Sequence, residues 1–312
     1  MHLFRHYQEF PAELRGSVVA IGNFDGVHRG HQIVVAEAMA QARRLGVPVT
    51  VLSFEPHPRS VFRPEDPPFR LTPFRIRARL LEALGVDIHV VLHFDAAFAR
   101  MTADEFVREV LVRGLGVRHV VIGYDFCFGY KRQGNAETLI GFGEAHGFGV
   151  SIVTQASDES GGVYSSSRAR TLLHEGRPRE AAEILGRPWE IEGRVEHGDK
   201  RGRTLGYPTA NIDLDGYLRP AFGVYAIRAG IDEGPEIVWH DGVASLGLRP
   251  MFQLDRPLLE AFLFDFSGDL YGRHLRVQLV DYLRGEQKFE SLDALIAQMD
   301  RDSARARALL VR

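Results

Sequence analysis

The chain has one cysteine, Cys127, in 312 residues. That excludes an internal disulfide and a cysteine-based metal site, and it fits a reducing compartment. Charge of one sign is also lacking: 38 basic and 41 acidic residues leave a formal net charge of −3, with no general basic footprint for nucleic acid. Residues 1–16 hold no apolar run long enough for a signal peptide or a membrane span, so a cytoplasmic protein is expected. No Gly-x-x-x-x-Gly-Lys-Ser/Thr sequence occurs, which excludes a Walker-type phosphate loop. Gly114-Leu115-Gly116 lacks the third glycine of a dinucleotide fingerprint and reads as a helix-ending turn. Hydrophobic residues make up 45% of the chain, enough for a sizeable core, and the length favours two domains.

The first half alternates apolar runs at 17–21, 49–54, 88–94, 119–122 and 150–153 with helical patterns at 31–45, 72–84, 102–113 and 136–146. Such alternation predicts an α/β fold with a Rossmann-like parallel sheet covered on both faces, whose ligands bind beyond the carboxyl ends of the strands. Around residues 176–194 the character changes. Short runs at 191–195, 209–212, 223–229, 239–245, 258–264 and 276–282 predict a small Greek-key β-barrel, and a serine-capped pattern at 291–310 predicts a terminal helix packed on it. The expected domains are residues 1–186 and 187–312.

One stretch stands out: Gly22-Asn23-Phe24-Asp25-Gly26-Val27-His28-Arg29-Gly30-His31, directly after the first apolar strand. It sets two histidines three residues apart at a strand-to-helix turn. Free backbone N–H groups and the helix dipole make such a turn an anion site, and Gly26 and Gly30 let the backbone approach a ligand. Imidazoles there can donate to phosphate oxygens while charge builds up at phosphorus. Strand, glycine turn, His-x-Gly-His and helix together resemble the signature of the nucleotidyltransferase superfamily, which attacks the α-phosphate of ATP and releases pyrophosphate.

Three other loops of this half carry polar groups. The run Ser53 to Pro58 either aims His57 into the cleft or is a rigid connector. Gly123 to Asn135 mixes aromatics with Asp125, Lys131 and Arg132, more aromatic residues than a solvated loop normally exposes. Tyr164 to Arg170 opens a helix: its serines can cap free N–H groups, and Arg168 and Arg170 can neutralise pyrophosphate or simply decorate the surface. In the barrel, the basic glycine-rich loop His197 to Gly206 runs into Tyr207-Pro208-Thr209-Ala210-Asn211. Thr209 and Asn211 share a strand face, and their oxygens suit Mg²⁺ and nucleotide phosphates. Glu260 lies in an apolar strand, either facing solvent or held for chemistry.

These motifs meet in one family. Gly22 to Gln32, Phe54 to Pro58, Gly123 to Asn135, Ser165 to Arg170, Pro208 to Asn211 and Leu259 to Gly272 resemble, in order and spacing, the bifunctional bacterial riboflavin kinase/FMN adenylyltransferases (FAD synthetases). The resemblance implies an N-terminal module that transfers AMP from ATP to FMN and a C-terminal module that phosphorylates riboflavin, with Mg²⁺ and ATP. It implies that His28 and His31 hold the ATP phosphates, that Asn23, Asp25 and Gly30 shape their loop, and that Asp125, Asn135 and the aromatics around them seat nucleotide or flavin. Ser166, Arg168 and Arg170 resemble a second phosphate-contacting element. In the kinase module Thr209 and Asn211 resemble the Mg²⁺/ATP ligands, with Lys200 and Arg203 in the phosphate-covering loop and Glu260 as the base for the riboflavin 5′-hydroxyl.

The chain departs from the family pattern at Ser245, where an asparagine is common, at Met251, where a threonine is common, and at Phe262, where a histidine is usual. The alternative is therefore an FMN adenylyltransferase whose barrel is a weakened or flavin-binding-only kinase. Riboflavin, FMN and ATP are the expected partners, without nucleic acid or membrane, and oligomeric state is not legible.

Overall fold

The computed structural model describes residues 1–159, 161–196, 207–234, 236–251 and 254–311. By backbone contacts the chain forms two units: Met1–Asp66 with Pro73–Ser165, and Pro67–Thr72 with Ser166–Arg312.

The first unit is built on a six-stranded parallel sheet. Its strands are β1 (His2–Phe4), β2 (Val18–Ile21), β3 (Val49–Glu55), β4 (Ile88–His93), β5 (His119–Gly123) and β6 (Gly149–Val153), in the spatial order β1-β4-β3-β2-β5-β6. Every residue of β2 and six of the seven in β3 are buried, as expected of strands covered on both faces. The pleat divides them: Val19, Ile21, Leu52 and Phe54 enter one core cluster, while Val18, Ala20, Val49 and Val51 enter the other. The second cluster is closed by α1 (Arg29–Leu45), whose Val34, Val35, Ala38 and Ala42 form the buried stripe, and by Leu81 of α3 (Phe74–Ala83). Gly46, in the left-handed conformation that glycine adopts without cost, ends α1. Between these helices lies the short α2 (Pro58–Phe62).

From β2 the chain moves outward through β3 and β4 on one side and later through β5 and β6 on the other. The carboxyl ends of β2 and β5 therefore form the topological switch point, where open α/β sheets bind ligands. Strand β1, which the sequence pattern does not announce, is a three-residue edge strand whose His2 lies opposite Ile88. The predicted helix at 102–113 is α4 (Ala103–Glu105), capped by a Thr102/Glu105 box and continued as a π-helix, Phe106–Leu115. After β5 comes α5 (Ala136–His146).

The second unit opens with α6 (Ser166–His174) and α7 (Pro178–Leu185). Six antiparallel strands follow: β7 (Trp189–Arg194), β8 (Ala210–Asp213), β9 (Gly223–Ile231), β10 (Trp239–Met251), β11 (Leu254–Leu263) and β12 (His274–Arg284), in the order β7-β12-β9-β10-β11-β8. The edge strands meet through the bridge Glu196–Asn211, which brings the sheet close to a closed barrel. Ile191, Ile212, Ala226, Leu246, Leu259, Ala261, Val277 and Leu279 are buried between the strands. The terminal helix α8 (Leu292–Leu310), capped by Ser291, packs Ala306 and Leu310 against Ala226, Phe264 and Leu283. Trp189 is buried and donates its indole N–H to the carbonyl of Leu71 at 2.8 Å, tying residues 67–72 to this unit.

Candidate functional site

In the first unit the turn from β2 to α1 is short and bent. Phe24 (φ 51°), Gly26 (φ 90°) and Val27 (φ 40°) all adopt left-handed backbone, which costs a β-branched or aromatic residue strain unless its surroundings hold it. They do: Phe24 and Val27 are each 1% exposed and pack into the core beneath α1. Asp25 is as deeply buried within the turn.

Helix α1 starts two residues earlier than periodicity predicts, at Arg29, with His28 as its N-cap. The backbone N–H of His31 donates to Nδ1 of His28 at 3.3 Å. That bond needs a lone pair on Nδ1, so Nε2 carries the proton of the neutral ring and is the donor His28 presents. The two imidazoles stack with centroids 3.6 Å apart, and the Phe24 ring lies 5.2 Å from that of His31. Gly30 sits under this pair: a Cβ there would come within 3.1 Å of the His28 ring and 3.2 Å of the Tyr164 carbonyl oxygen. His28, His31, Asn23, Asp25 and Gly30 thus form one compact group at a helix N-terminus, with the donors that an anion requires.

The neighbouring strand β5 ends in the aromatic loop. Its rings divide by role: Phe126 and Phe128 stack at 5.7 Å and join the core, whereas Tyr124 and Tyr130 remain exposed. Gly134 is required there because a Cβ would meet the Phe128 ring at 2.7 Å. Asp125 is exposed on this loop at the carboxyl end of β5. Asn135 caps α5, accepting from the Thr138 N–H at 2.9 Å. A solvent-open cavity of about 600 Å³ lies between α1 and the edge strand, lined by Ile33, Ala36, Glu37 and residues Ser151 to Thr154. Of the two readings of His57, the structure favours the connector: its Nδ1 accepts from the Arg59 N–H at 3.1 Å and caps α2.

Sequence reasoning overlooked Arg77 and His89. Arg77 is fully buried and pairs with Glu55 at 2.8 Å. His89 is buried on β4, hydrogen-bonded to Ser53 Oγ at 2.8 Å; burial first, and then Arg77, push it down to about 3, so its ring is neutral at physiological pH.

In the second unit, strand register does the assembling. Asn211 on β8 lies directly opposite Glu260 on β11, and Glu260 lies directly opposite Ser245 on β10. Opposed residues of antiparallel strands share a face, so the amide, carboxylate and hydroxyl form a row; Thr209, expected on the same strand face as Asn211, lies just before β8 begins at Ala210. Asn211 is buried, Glu260 and Thr209 are half-buried and Ser245 is exposed. These are hard oxygen donors, the type that Mg²⁺ takes. Phe262 continues the face and packs its ring 4.8 Å from Tyr207 and 5.9 Å from Phe264. Ser166, Arg168 and Arg170 lie on the first turns of α6, which belongs to this unit. Arg170 donates from Nε to the Phe69 carbonyl at 2.9 Å and covers the Phe69 ring. Lys200 and Arg203 lie outside the described residues. Among the described residues, Glu192, Asp232 and His274 bring ligand-type atoms within 4.8 Å of one another, and each also engages protein neighbours. No helix of the described residues is long and apolar enough to cross a membrane.

The family model of FAD synthetase matches residues 10–168, and that of riboflavin kinase matches residues 185–310. The bifunctional riboflavin kinase/FMN adenylyltransferase of Escherichia coli is 42% identical over 95% of this chain and 93% of its own. That of Pseudomonas fluorescens is 43% identical over 99% and 98%, and that of Bacillus subtilis 34% identical over 98% and 96%. A crystal structure described as a macrolide-efflux protein from Streptococcus pneumoniae superposes with a TM-score of 0.87 at 33% identity, covering 98% of both chains. Its efflux description is not carried to this chain, because both family models and the curated relatives agree on flavin chemistry. The match across the barrel does not favour the adenylyltransferase-only alternative. The chain belongs to the family of bifunctional riboflavin kinase/FMN adenylyltransferases, phosphorylating riboflavin to FMN and transferring AMP from ATP to FMN to give FAD.

Proposed function

We propose that residues 1–186 carry the adenylyl transfer and residues 187–312 the phosphorylation, each with its own phosphate site. The reading rests above all on the stacked His28/His31 pair at the N-terminus of α1. Donors there are fixed in place before ATP arrives, so charge developing at the α-phosphate is met without reorganisation. The FMN phosphate attacks in line, and pyrophosphate leaves. Asn23, Asp25 and Gly30 shape the turn, and Asp125 and Asn135 border the acceptor side. Ser166, Arg168 and Arg170 offer a separate phosphate-contacting element on α6, within the second unit.

In the barrel, Glu260 takes the proton of the riboflavin 5′-hydroxyl as that oxygen attacks the γ-phosphate. Asn211 and Thr209 would hold ATP and Mg²⁺. When bound, Mg²⁺ supplies charge neutralisation of the transferring phosphoryl group. We place the enzyme in the cytoplasm, where its single cysteine stays reduced.

Purified protein given riboflavin, ATP and Mg²⁺, with the flavins then separated, tests the division. His31→Ala is expected to lose FAD formation from FMN by more than about 100-fold and to keep riboflavin phosphorylation, with Glu260→Ala doing the reverse. Wild-type rates in either variant overturn that assignment.

A further inference from the structure

Helix α3 carries three arginines in alternate positions, Arg75, Arg77 and Arg79, and only Arg77 is turned fully inward, beside Ile76 and Leu81. A fully buried guanidinium is expensive to desolvate, and an aliphatic residue would fill this space at lower cost. Its described acceptors converge on one place. Nη1 donates to the carbonyl oxygen of Asn23 at 3.3 Å. Nη2 donates to Glu55 Oε2 at 2.8 Å and reaches the Phe54 carbonyl at 3.5 Å. One side chain thereby ties the turn after β2 to the end of β3, across two paired strands.

The attachment point matters. Asn23 directly precedes Phe24, the first left-handed residue of the turn, while Gln32 Nε2 holds the carbonyl of Val27, the last, at 2.9 Å. The strained segment is pinned at both ends, by Arg77 and by α1 itself, and His28 follows it immediately. Strained backbone of this kind keeps its shape only when its surroundings fix it.

We propose that Arg77, with Glu55 as its counter-ion, is a positioning residue for adenylyl transfer: it fixes the Asn23 to Val27 turn and, through it, the aim of His28 and His31. The proposal rests on the reading that these histidines hold the ATP phosphates. Arginine suits the site because a lysine offers a point charge where a planar fork reaches acceptors on the turn after β2 and on β3.

The test uses the full chain with Arg77→Lys, Arg77→Met and Glu55→Gln, measuring kcat and KM for ATP in FAD formation from FMN, and riboflavin phosphorylation by the same samples. Arg77→Lys is expected to lower kcat for FAD formation about tenfold or more, since a displacement near 1 Å at reacting groups has effects of that order. Phosphorylation should stay within about twofold, and the deficit should persist at 10 °C. FAD formation within about twofold of wild type in folded Arg77→Lys overturns the proposal, as does a deficit that disappears on cooling, which marks a purely structural role. Should the Arg77 variants fail to fold, Glu55→Gln carries the test with an expected loss of about threefold or more and the same controls. His31→Ala run alongside separates the two levels. An inactive His31→Ala beside a fully active Arg77→Lys removes this proposal alone, and a fully active His31→Ala removes the underlying reading and the proposal with it.

Discussion

The two units place polar groups by opposite means. In the first, the candidate residues sit beyond the ends of parallel strands, on backbone that must turn within a few residues, and three left-handed positions between Phe24 and Val27 set where His28 and His31 point. In the second, Asn211, Glu260 and Ser245 sit on the flat of antiparallel strands, and cross-strand pairing alone puts them side by side. A site at strand ends is only as good as its turn. A site on strand faces is as robust as the sheet and changes its chemistry one side chain at a time.

The sharpest way to break this comparison is a pair of substitutions. Asn211→Ala is expected to lower riboflavin phosphorylation by more than about 100-fold while costing about 1 kcal/mol of stability, because it deletes the proposed Mg²⁺/ATP ligand and leaves the ladder intact. Gly26→Ala introduces no new chemistry, yet at φ 90° it costs about 1–2 kcal/mol and is expected to slow FAD formation about tenfold. Thermal unfolding and the two assays read both. Should Gly26→Ala leave adenylylation untouched, the turn is not the determinant.

Acid sharpens the comparison next, because the first unit buries a neutral histidine. His89 is lowered in the fold to about 3 from its ordinary 6.5, so the unfolded chain binds the proton first. The stability it contributes is fully present above pH 6.5 and is lost as pH falls toward 3, by about 2 kcal/mol between pH 6.5 and 5. His119, also lowered chiefly by burial, adds in the same direction. His89→Gln cannot take the proton, so its stability measured by denaturation should vary less with pH across that window. An unchanged slope would show that His89 does not carry it. The smallest effect is expected at Phe262, which packs on Tyr207 and Phe264: Phe262→His should cost about 1 kcal/mol and alter phosphorylation less than about threefold.

Much of this is legible in the chain alone. Apolar runs separated by amphipathic segments located five of the six parallel strands and all six barrel strands among the described residues, because burial on both faces or on alternate positions leaves a pattern in the chain. Strand β1 escaped because three residues are too few for a period. The histidine turn could be read from its glycines and spacing, but the N-cap role of His28 could not, since it depends on a backbone bend among residues whose types do not favour it. The aromatic loop is not uniform. Half of its four rings are core, and only packing separates Phe126 and Phe128 from Tyr124 and Tyr130.

By itself the sequence determined the layered α/β unit, the barrel and the residue types at both sites, since hydrophobic periodicity and motif spacing are properties of the chain alone. Tertiary structure decided which members of those patterns act together. Glu260 could have faced solvent, and it faces Asn211 because the β8 and β11 register puts it there. Arg77 could have been one more solvated arginine on α3, and it lies beneath the turn because the helix packs that side against the sheet. Register and helix rotation are fixed by long-range contacts, and no local stretch of sequence encodes those.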